Sequence, residues 1–180
     1  MHRRRTWSSH DLSVALNRYV ASVELDTDFV ADADLAAFVR SGVAIVVATR
    51  DDDMTPEITR AWGADVVIDG ASLTICVTAP PGSKTRANLE HNGAIAVNFT
   101  LPTTYRSAQM KGSVVDVHDP SPAELARVER HIELFVEQTE QVGLSAAGAR
   151  QLAERNLLAV TIAVRELYDQ TPGPNAGKRM

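Results

Sequence analysis

The segment TAPPGSKTRANLEHN, residues 78–92, brings hydroxyl groups and a cation together between a strand-like run and a probable helix. Ser83 and Thr85 can donate hydrogen bonds and Lys84 supplies charge, at a place where the first N–H groups of a helix lack partners. Such a junction could hold a phosphate, or Ser83 could simply cap the helix beside solvated cations. Val77 stands where a P-loop needs its first glycine, which excludes a nucleoside-triphosphatase of that type.

A second segment, EITRAWG at 57–63, suits a flat aromatic ligand. On a strand, Arg60 and Trp62 share one face, and the interior Gly63 indicates that some group approaches the strand closely. The alternative is an arginine at an edge strand with the tryptophan in the core.

A third segment, YRSAQMKGSV at 105–114, places Ser107, Gln109 and Lys111 on one strand face. A glutamine there could hydrogen-bond the edge of a heterocycle. A solvated polar face is the simpler alternative.

No catalytic group can be identified among the remaining reactive or titratable residues. The five histidines have no ligand spacing, and we expect all of them at the surface. The single Cys76 excludes a disulfide framework and a Cys-based zinc site, and we expect a buried small hydrophobe. We predict no metal site. An enzyme built on this chain would leave the chemistry to a cofactor.

Composition limits the partners. The 180 residues carry a net charge of −5, which argues against a general nucleic-acid binder. The longest apolar run, residues 43–48, is too short to span a bilayer, and no apolar stretch follows the basic start. We expect a cytoplasmic protein with no membrane or nucleic-acid partner.

Hydrophobic periodicity predicts about six strands with helices inserted between them. A short helix ends near Gly42, and a capping box from Ser121 to Glu124 with Pro122 starts a long helix. Further helices are predicted at about 12–23, at 84–91 and at 145–156, and a hairpin turn at 69–70. The predicted strands are 43–50, which we expect to be buried on both faces, 56–68, 72–78, 93–100, 105–118 and 157–170.

Hairpin-linked strands with few helices favour a mainly β fold with helices (α+β), a largely antiparallel barrel or sandwich, over a doubly wound sheet. We divide the chain into a helical extension at 1–34, a barrel domain at 35–170 and a C-terminal loop at 171–180.

The ordered series of GVAIVVATR, PEITRAWG, SLTICVT, SKTRANLEHNGAIAVNF and YRSAQMKGSV is similar to the pyridoxamine 5′-phosphate oxidase-like family of FMN-binding split β-barrels. The similarity runs from about Leu35 to Tyr168, and YDQTPGPNAG resembles the tail of a small-protein branch of that family. The resemblance implies a split barrel that forms a homodimer, with FMN at the subunit interface and an oxidoreductase activity on an unknown small molecule.

The resemblance also implies cofactor-binding residues. The strand that runs along the isoalloxazine would supply Arg60, Ala61, Trp62 and Gly63. The segment that holds the phosphate would supply Thr78, Ser83, Lys84 and Thr85. The other subunit would supply Gln109, with Arg106 and Lys111 as weaker candidates.

True pyridoxamine phosphate oxidases carry a C-terminal Trp and an Arg-x-His motif. This chain has neither a Trp nor a His after His131, so we do not expect that activity. Relatives on this barrel also use F420 or haem, which leaves open a non-catalytic carrier or sensor of flavin, F420 or haem. A barrel that serves only as a protein–protein module is a third alternative.

Overall fold

The computed structural model describes residues 30–180 apart from 69 and 154. The predicted N-terminal helix therefore lies outside the described residues, as does most of the predicted extension. The elements in chain order are α1 (Ala33–Val39), β1 (Ala44–Arg50), β2 (Pro56–Val66), β3 (Ser72–Thr78), α2 (Lys84–His91), β4 (Ala94–Thr100), β5 (Ser107–His118), α3 (Pro122–Glu140), α4 (Ala146–Gln151) and β6 (Leu157–Asp169).

The six strands close into one barrel in the order β1-β2-β3-β6-β5-β4, and every pair is antiparallel. This confirms the predicted mainly β barrel with helices. Residues 171–177 form neither helix nor strand, as predicted, and the tail returns to β6 through a bridge between Tyr168 and Arg179.

Local sequence signals account for the helix starts. Asp32 caps α1 by accepting from the N–H of Leu35, at 2.8 Å. Ser121 and Glu124 form the predicted capping box of α3, with Pro122 at its first position. Each cap satisfies N–H groups that would otherwise have no partner at a helix start.

The interior of the barrel is apolar and closed. Its largest fully buried side chains include Phe99, Leu73, Ile75, Met110 and Ile162. At one end of β1, Asn88 of α2 donates to the hydroxyl of Thr49 at 3.1 Å. Helix α1 lies at the other end of the barrel, beside the β2–β3 connection.

Strand β1 corrects one prediction. Residues 43–50 were predicted to be buried on both faces, but burial alternates along β1. Ile45 and Val47 enter the core, whereas Val46 and Ala48 stay half-buried on the outside. The reason is that an antiparallel barrel strand has a single core face. The outer face of β1 is therefore apolar at Val46 and Ala48, which the described residues only half bury.

Helix α3 covers another part of the outer barrel surface and forms a second core. Val128, Ile132 and Phe135 of the helix pack there with Trp62 of β2 and Cys76 of β3. Cys76 is buried as predicted, and burial raises the pKa of its thiol to about 11.

His131 of α3 ties this helix to two strands. The histidine was predicted at the surface, and that prediction is wrong, because it is 5% exposed. Its Nδ1 accepts from the N–H of Gly63 at 2.7 Å, so Nε2 carries the proton and donates to the carbonyl of Val43 at 2.8 Å. Burial lowers the pKa of His131, and this effect is larger than that of the hydrogen bond to the Val43 carbonyl, which raises the pKa. The imidazole is therefore a neutral structural link.

Gly63 lies at a bulge where the β2–β3 register shifts between Trp62 and Asp65. Its φ of +62° is in the left-handed region, and a Cβ placed there would lie 3.0 Å from the backbone nitrogen of Val128. The sequence correctly indicated a close approach at this glycine. The approaching group is the backbone of α3.

We predict that Gly63→Ala lowers the free energy of unfolding by about 2–4 kcal/mol, because left-handed strain adds to a collision with a helix backbone that cannot rotate away. Gly82→Ala is the matched control: its φ is +79° and a Cβ there meets nothing within 4 Å, so only about 1 kcal/mol of strain is expected. Urea unfolding measures both. Equal losses in the two variants would contradict the close-packing explanation.

Candidate functional site

Cross-strand pairing assembles several predicted site residues into one row on the outside of the barrel. Thr78 lies opposite Arg60 because the β2–β3 register continues one residue beyond the pair Ala61–Val77. We call this set the outer row; read across the strands it consists of Thr78, Arg60, Val46, Asn98, Gln109 and Tyr168. Because the barrel is closed, this row runs around it: Arg60 adjoins Thr78 and Val46, whereas Gln109 lies on the opposite side.

Arg60 is an unpaired cation in this row. It is half-buried, and its guanidinium has no ion pair or hydrogen bond to any residue that the structure describes. Other arginines of this acidic chain are paired, for example Arg40 with Asp65 and Arg86 with Glu90. A half-buried guanidinium without a counter-charge is suited to binding an anion.

Thr78 adds an unsatisfied polar group beside Arg60. The residue is 5% exposed, and its Oγ1 has no hydrogen-bond partner in the described part of the chain. Its backbone carbonyl is satisfied by the Thr59 hydroxyl at 2.9 Å. Leaving a buried hydroxyl unpaired is costly, and most native hydroxyls avoid it. The unpaired Arg60 therefore has a buried, unsatisfied hydroxyl beside it.

The start of α2 follows Thr78 closely along the chain. Ser83 caps the helix by accepting from the N–H of Arg86 at 3.2 Å. The sequence-based alternative that Ser83 acts as a helix cap is therefore correct. Its hydroxyl proton and the first free N–H groups of the helix remain available to an anion. Lys84 is exposed and unpaired among the described residues, while Thr85 is buried at the first turn.

Three neighbours of Arg60 on β2 are enclosed. Ala61 points into the barrel and is 1% exposed. Trp62 packs edge-to-face against Phe135, with ring centroids 5.5 Å apart, beneath α3. Gly63 uses both backbone groups within the fold, since its N–H donates to His131 and its carbonyl accepts from Arg127 at 2.7 Å. These three residues do not share the open surface of Arg60.

The candidates in and next to β5 are divided between two places. Gln109 lies in the outer row, and Lys111 lies one pair further along the same face, with its Nζ 4.6 Å from the ring centroid of Tyr168. Arg106 is at the α1 end of the barrel, where it pairs with Asp34 and lies over the ring of Phe38 at 4.4 Å. Because β5 is three strands away from β2 in the closed six-stranded barrel, Gln109 and Lys111 face the side opposite Arg60 within one chain, and Arg106 lies apart from both.

Two outer-row residues, Asn98 and Tyr168, were not predicted as site residues from the sequence. Nothing in their local sequence distinguishes them from other strand residues. Their place beside Gln109 follows only from the pairing of β4 and β6 with β5.

The exposed histidines near the barrel are held by carboxylates. Nε2 of His91 lies 2.8 Å from Asp52. His118 contacts Asp116 and Glu124; burial lowers its pKa, but the two hydrogen bonds outweigh that effect and raise it. Among the described residues, no group of three His, Cys, Asp or Glu side chains is arranged to hold a metal ion.

No protein-family model matches this sequence, and no curated protein matches it. Solved structures of similar fold include HupZ of Group A Streptococcus, with 17% identity and a TM-score of 0.47 over 80% of this chain and 97% of that one. An F420 reductase has 17% identity and a TM-score of 0.47, with coverages of 73% and 93%. An FMN-binding protein from Syntrophomonas wolfei has 12% identity and a TM-score of 0.44, with coverages of 87% and 94%.

At these levels of identity and TM-score, the matched structures say nothing about the function of the chain. The chain resembles the pyridoxamine 5′-phosphate oxidase-like split barrels in the order of its elements, and the closed antiparallel barrel confirms the fold which that resemblance implied. No helix among residues 30–180, where described, is long and apolar enough to cross a membrane.

We predict that Thr78→Val stabilises the ligand-free protein by about 1 kcal/mol, because it removes a buried hydroxyl that has no partner. The matched control is Thr49→Val, which strips the acceptor from the buried amide of Asn88 and should destabilise by about 1–3 kcal/mol. Denaturant unfolding of the ligand-free variants measures the change in the free energy of unfolding for each substitution. A destabilised Thr78→Val variant would show that this hydroxyl is satisfied within the fold.

Proposed function

We propose that the chain is an FMN-binding flavoprotein and an oxidoreductase acting on small molecules, with its flavin on the side of the outer row that carries Arg60 and Thr78. The observation that carries the proposal is the unpaired Arg60 beside the unsatisfied hydroxyl of Thr78. A buried donor and an uncompensated cation on one surface call for an anionic ligand with hydrogen-bonding oxygens.

The phosphate of FMN would lie between Arg60 and the start of α2. Lys84 and Arg60 supply two positive charges, and Ser83 and Thr78 supply hydroxyl donors. The free N–H groups of the first helical turn add the favourable end of the helix dipole. Charge-assisted hydrogen bonds of this kind are the stronger ones in proteins.

The ring system of the flavin would lie against the β1–β2 side of the outer row. A second copy of the chain would contribute Gln109, whose amide can donate and accept, as the edge of a heterocycle requires. When bound, the flavin supplies a site that takes up and returns hydride or electrons, and the protein orients the ring and its reaction partner. Enclosed residues such as Trp62 and Gly63 would act indirectly, by shaping β2.

We also propose that the second wall of this site comes from another copy of the chain. The outer faces of β1 and β4 present Val46, Ala48 and Ala96, all half-buried, and Ile58 of β2 is 69% exposed beside them. A flat apolar surface of small residues suits a self-complementary two-fold interface. A flavin at that interface would be shielded from water by both subunits.

F420 remains an alternative ligand, since its flavin-like ring and its phosphate would suit the same row. Haem is disfavoured by the two candidate histidines. Both ring nitrogens of His118 are bonded to carboxylates, and Nε2 of His91 is bonded to Asp52, which leaves only Nδ1 of His91 as an axial ligand.

The first experiment is an absorption spectrum of purified protein, followed by acid release and chromatography of any chromophore. FMN at about one per chain is the expected result. Reduction of that flavin by a nicotinamide or F420 donor would then establish turnover. A colourless protein that takes up neither FMN nor F420 would exclude this function.

We predict that Lys84→Ala weakens FMN binding about ten-fold or more, because it removes one counter-charge of the phosphate. Arg86→Ala is the control, since Arg86 lies on the same helix but is paired with Glu90 at 3.0 Å. Quenching of flavin fluorescence on titration gives the two dissociation constants. If both variants bind FMN like the unmodified protein, the phosphate lies elsewhere.

We predict that Ile58→Asp converts a dimer to a monomer and weakens flavin retention, because it places a carboxylate within the proposed apolar interface. Ile68→Asp is the matched control, at a residue that is 45% exposed in the β2–β3 connection. Analytical ultracentrifugation reports the mass of each variant. A monomeric unmodified protein, or a dimeric Ile58→Asp variant, would argue against this interface.

A further inference from the structure

A cleft of about 260 Å³ lies between α3 and the bulge of β2, at the Gly63 end of that strand. The charged residues on its wall are Arg40, Asp65, Arg127 and Arg130. Arg40 and Asp65 neutralise each other through a hydrogen bond of 2.8 Å from Nε to Oδ1. The two arginines of α3 are left without a carboxylate among the described wall residues, so the cleft is cationic.

Arg127 carries an unsatisfied donor in this cleft wall. Its Nε donates to the carbonyl of Gly63 at 2.7 Å, which fixes the guanidinium against β2. Its Nη2 is buried and has no acceptor within the described part of the chain. Because an arginine cannot lose its charge in a protein, Arg127 brings an uncompensated guanidinium to the wall of the cleft.

Arg130 is placed to act together with Arg127. The two residues are three positions apart on α3, so they occupy neighbouring places on one helix face. Arg130 is exposed and unpaired among residues 30–180 where described. His131, which also lines the cleft, is neutral in its hydrogen-bonded form and does not add a competing charge. Two adjacent guanidinium groups repel each other unless an anion lies between them.

We infer that this cleft binds a small oxyanion, a carboxylate or a phosphate group, between Arg127 and Arg130. The planar donor fork of arginine matches both groups. The cleft is slightly smaller than typical small-molecule sites of about 300–1,000 Å³, which suits a compact ligand. The site is separate from the outer row, since the packed Trp62 and the backbone of Gly63 lie between them, and it does not rest on the proposed flavin.

The test is calorimetric titration of the full chain with inorganic phosphate and, separately, with acetate, at constant ionic strength. To remove phosphate binding at α2, the titrations use the Lys84→Ala background as well as the unmodified protein. Arg130→Ala is the main variant, because Arg130 makes no bond to any residue that the structure describes, whereas Arg127→Ala would leave the Gly63 carbonyl unsatisfied. Arg150→Ala, an exposed arginine on α4, is the control.

We expect saturable binding that survives Lys84→Ala and Arg150→Ala and is weakened about ten-fold or more by Arg130→Ala. Whichever of phosphate or acetate behaves in this way identifies the chemical class of the ligand. No saturable binding of either anion overturns the inference, and so does an unchanged affinity in Arg130→Ala. Binding that is lost only with Lys84→Ala assigns the anion to the start of α2 and also overturns it.

Discussion

The hydrogen-bonded link from Gly63 through His131 to Val43 determines where α3 lies on the barrel. One neutral imidazole accepts from β2 and donates to the residue that precedes β1, so the helix is fixed to two neighbouring strands at once. The left-handed backbone of Gly63 makes this possible, because it brings the strand within contact distance of the helix backbone. Breaking the link would leave a buried ring with unpaired nitrogen atoms.

The position of α3 divides the outside of the barrel into two parts. Beneath the helix, Trp62 and Cys76 belong to a closed second core. Beyond its edge, Arg60 and Thr78 lie on the same outer face of β2 and β3 but remain outside that core. The same helix therefore explains both why the predicted tryptophan is enclosed and why the arginine two residues earlier is left uncovered.

The buried side-chain atoms without partners are concentrated around one short piece of β2. Among the described residues they are Trp62 Nε1, Thr78 Oγ1 and Arg127 Nη2. The first is on this piece, the second lies opposite Arg60, and the third belongs to the guanidinium that bonds Gly63. Folded proteins satisfy nearly all such atoms. These three nevertheless lie in different places: Trp62 is enclosed beneath α3, Thr78 is on the outer face beside Arg60, and Arg127 is on the wall of the cleft.

The sequence predicted the features that depend on neighbouring residues. The caps at Ser83 and Ser121 and the strand at 72–78 follow from local composition and spacing. The burial of His131 could not be predicted in this way, because its partner Gly63 lies 68 positions earlier in the chain. The outer row could not be predicted for the same reason, because only the strand register brings Asn98 and Tyr168 beside Gln109. A pattern of alternating residues reveals that two faces exist, but not what covers each of them.

Closure of the barrel sets the order in which this chain can fold. The last strand, β6, pairs with β3 along Thr78–Leu157 and its neighbours, and α3 and α4 lie between β5 and β6 in the chain. Contacts so distant in sequence cost loop-closure entropy before they return any stability, which makes them slow to form. During synthesis, the meander β1–β2–β3 and the β4–β5 hairpin can form as they emerge, but no barrel exists until β6 has left the ribosome. Until then β3 carries an unpaired edge, where a second unfinished chain could add its own strand.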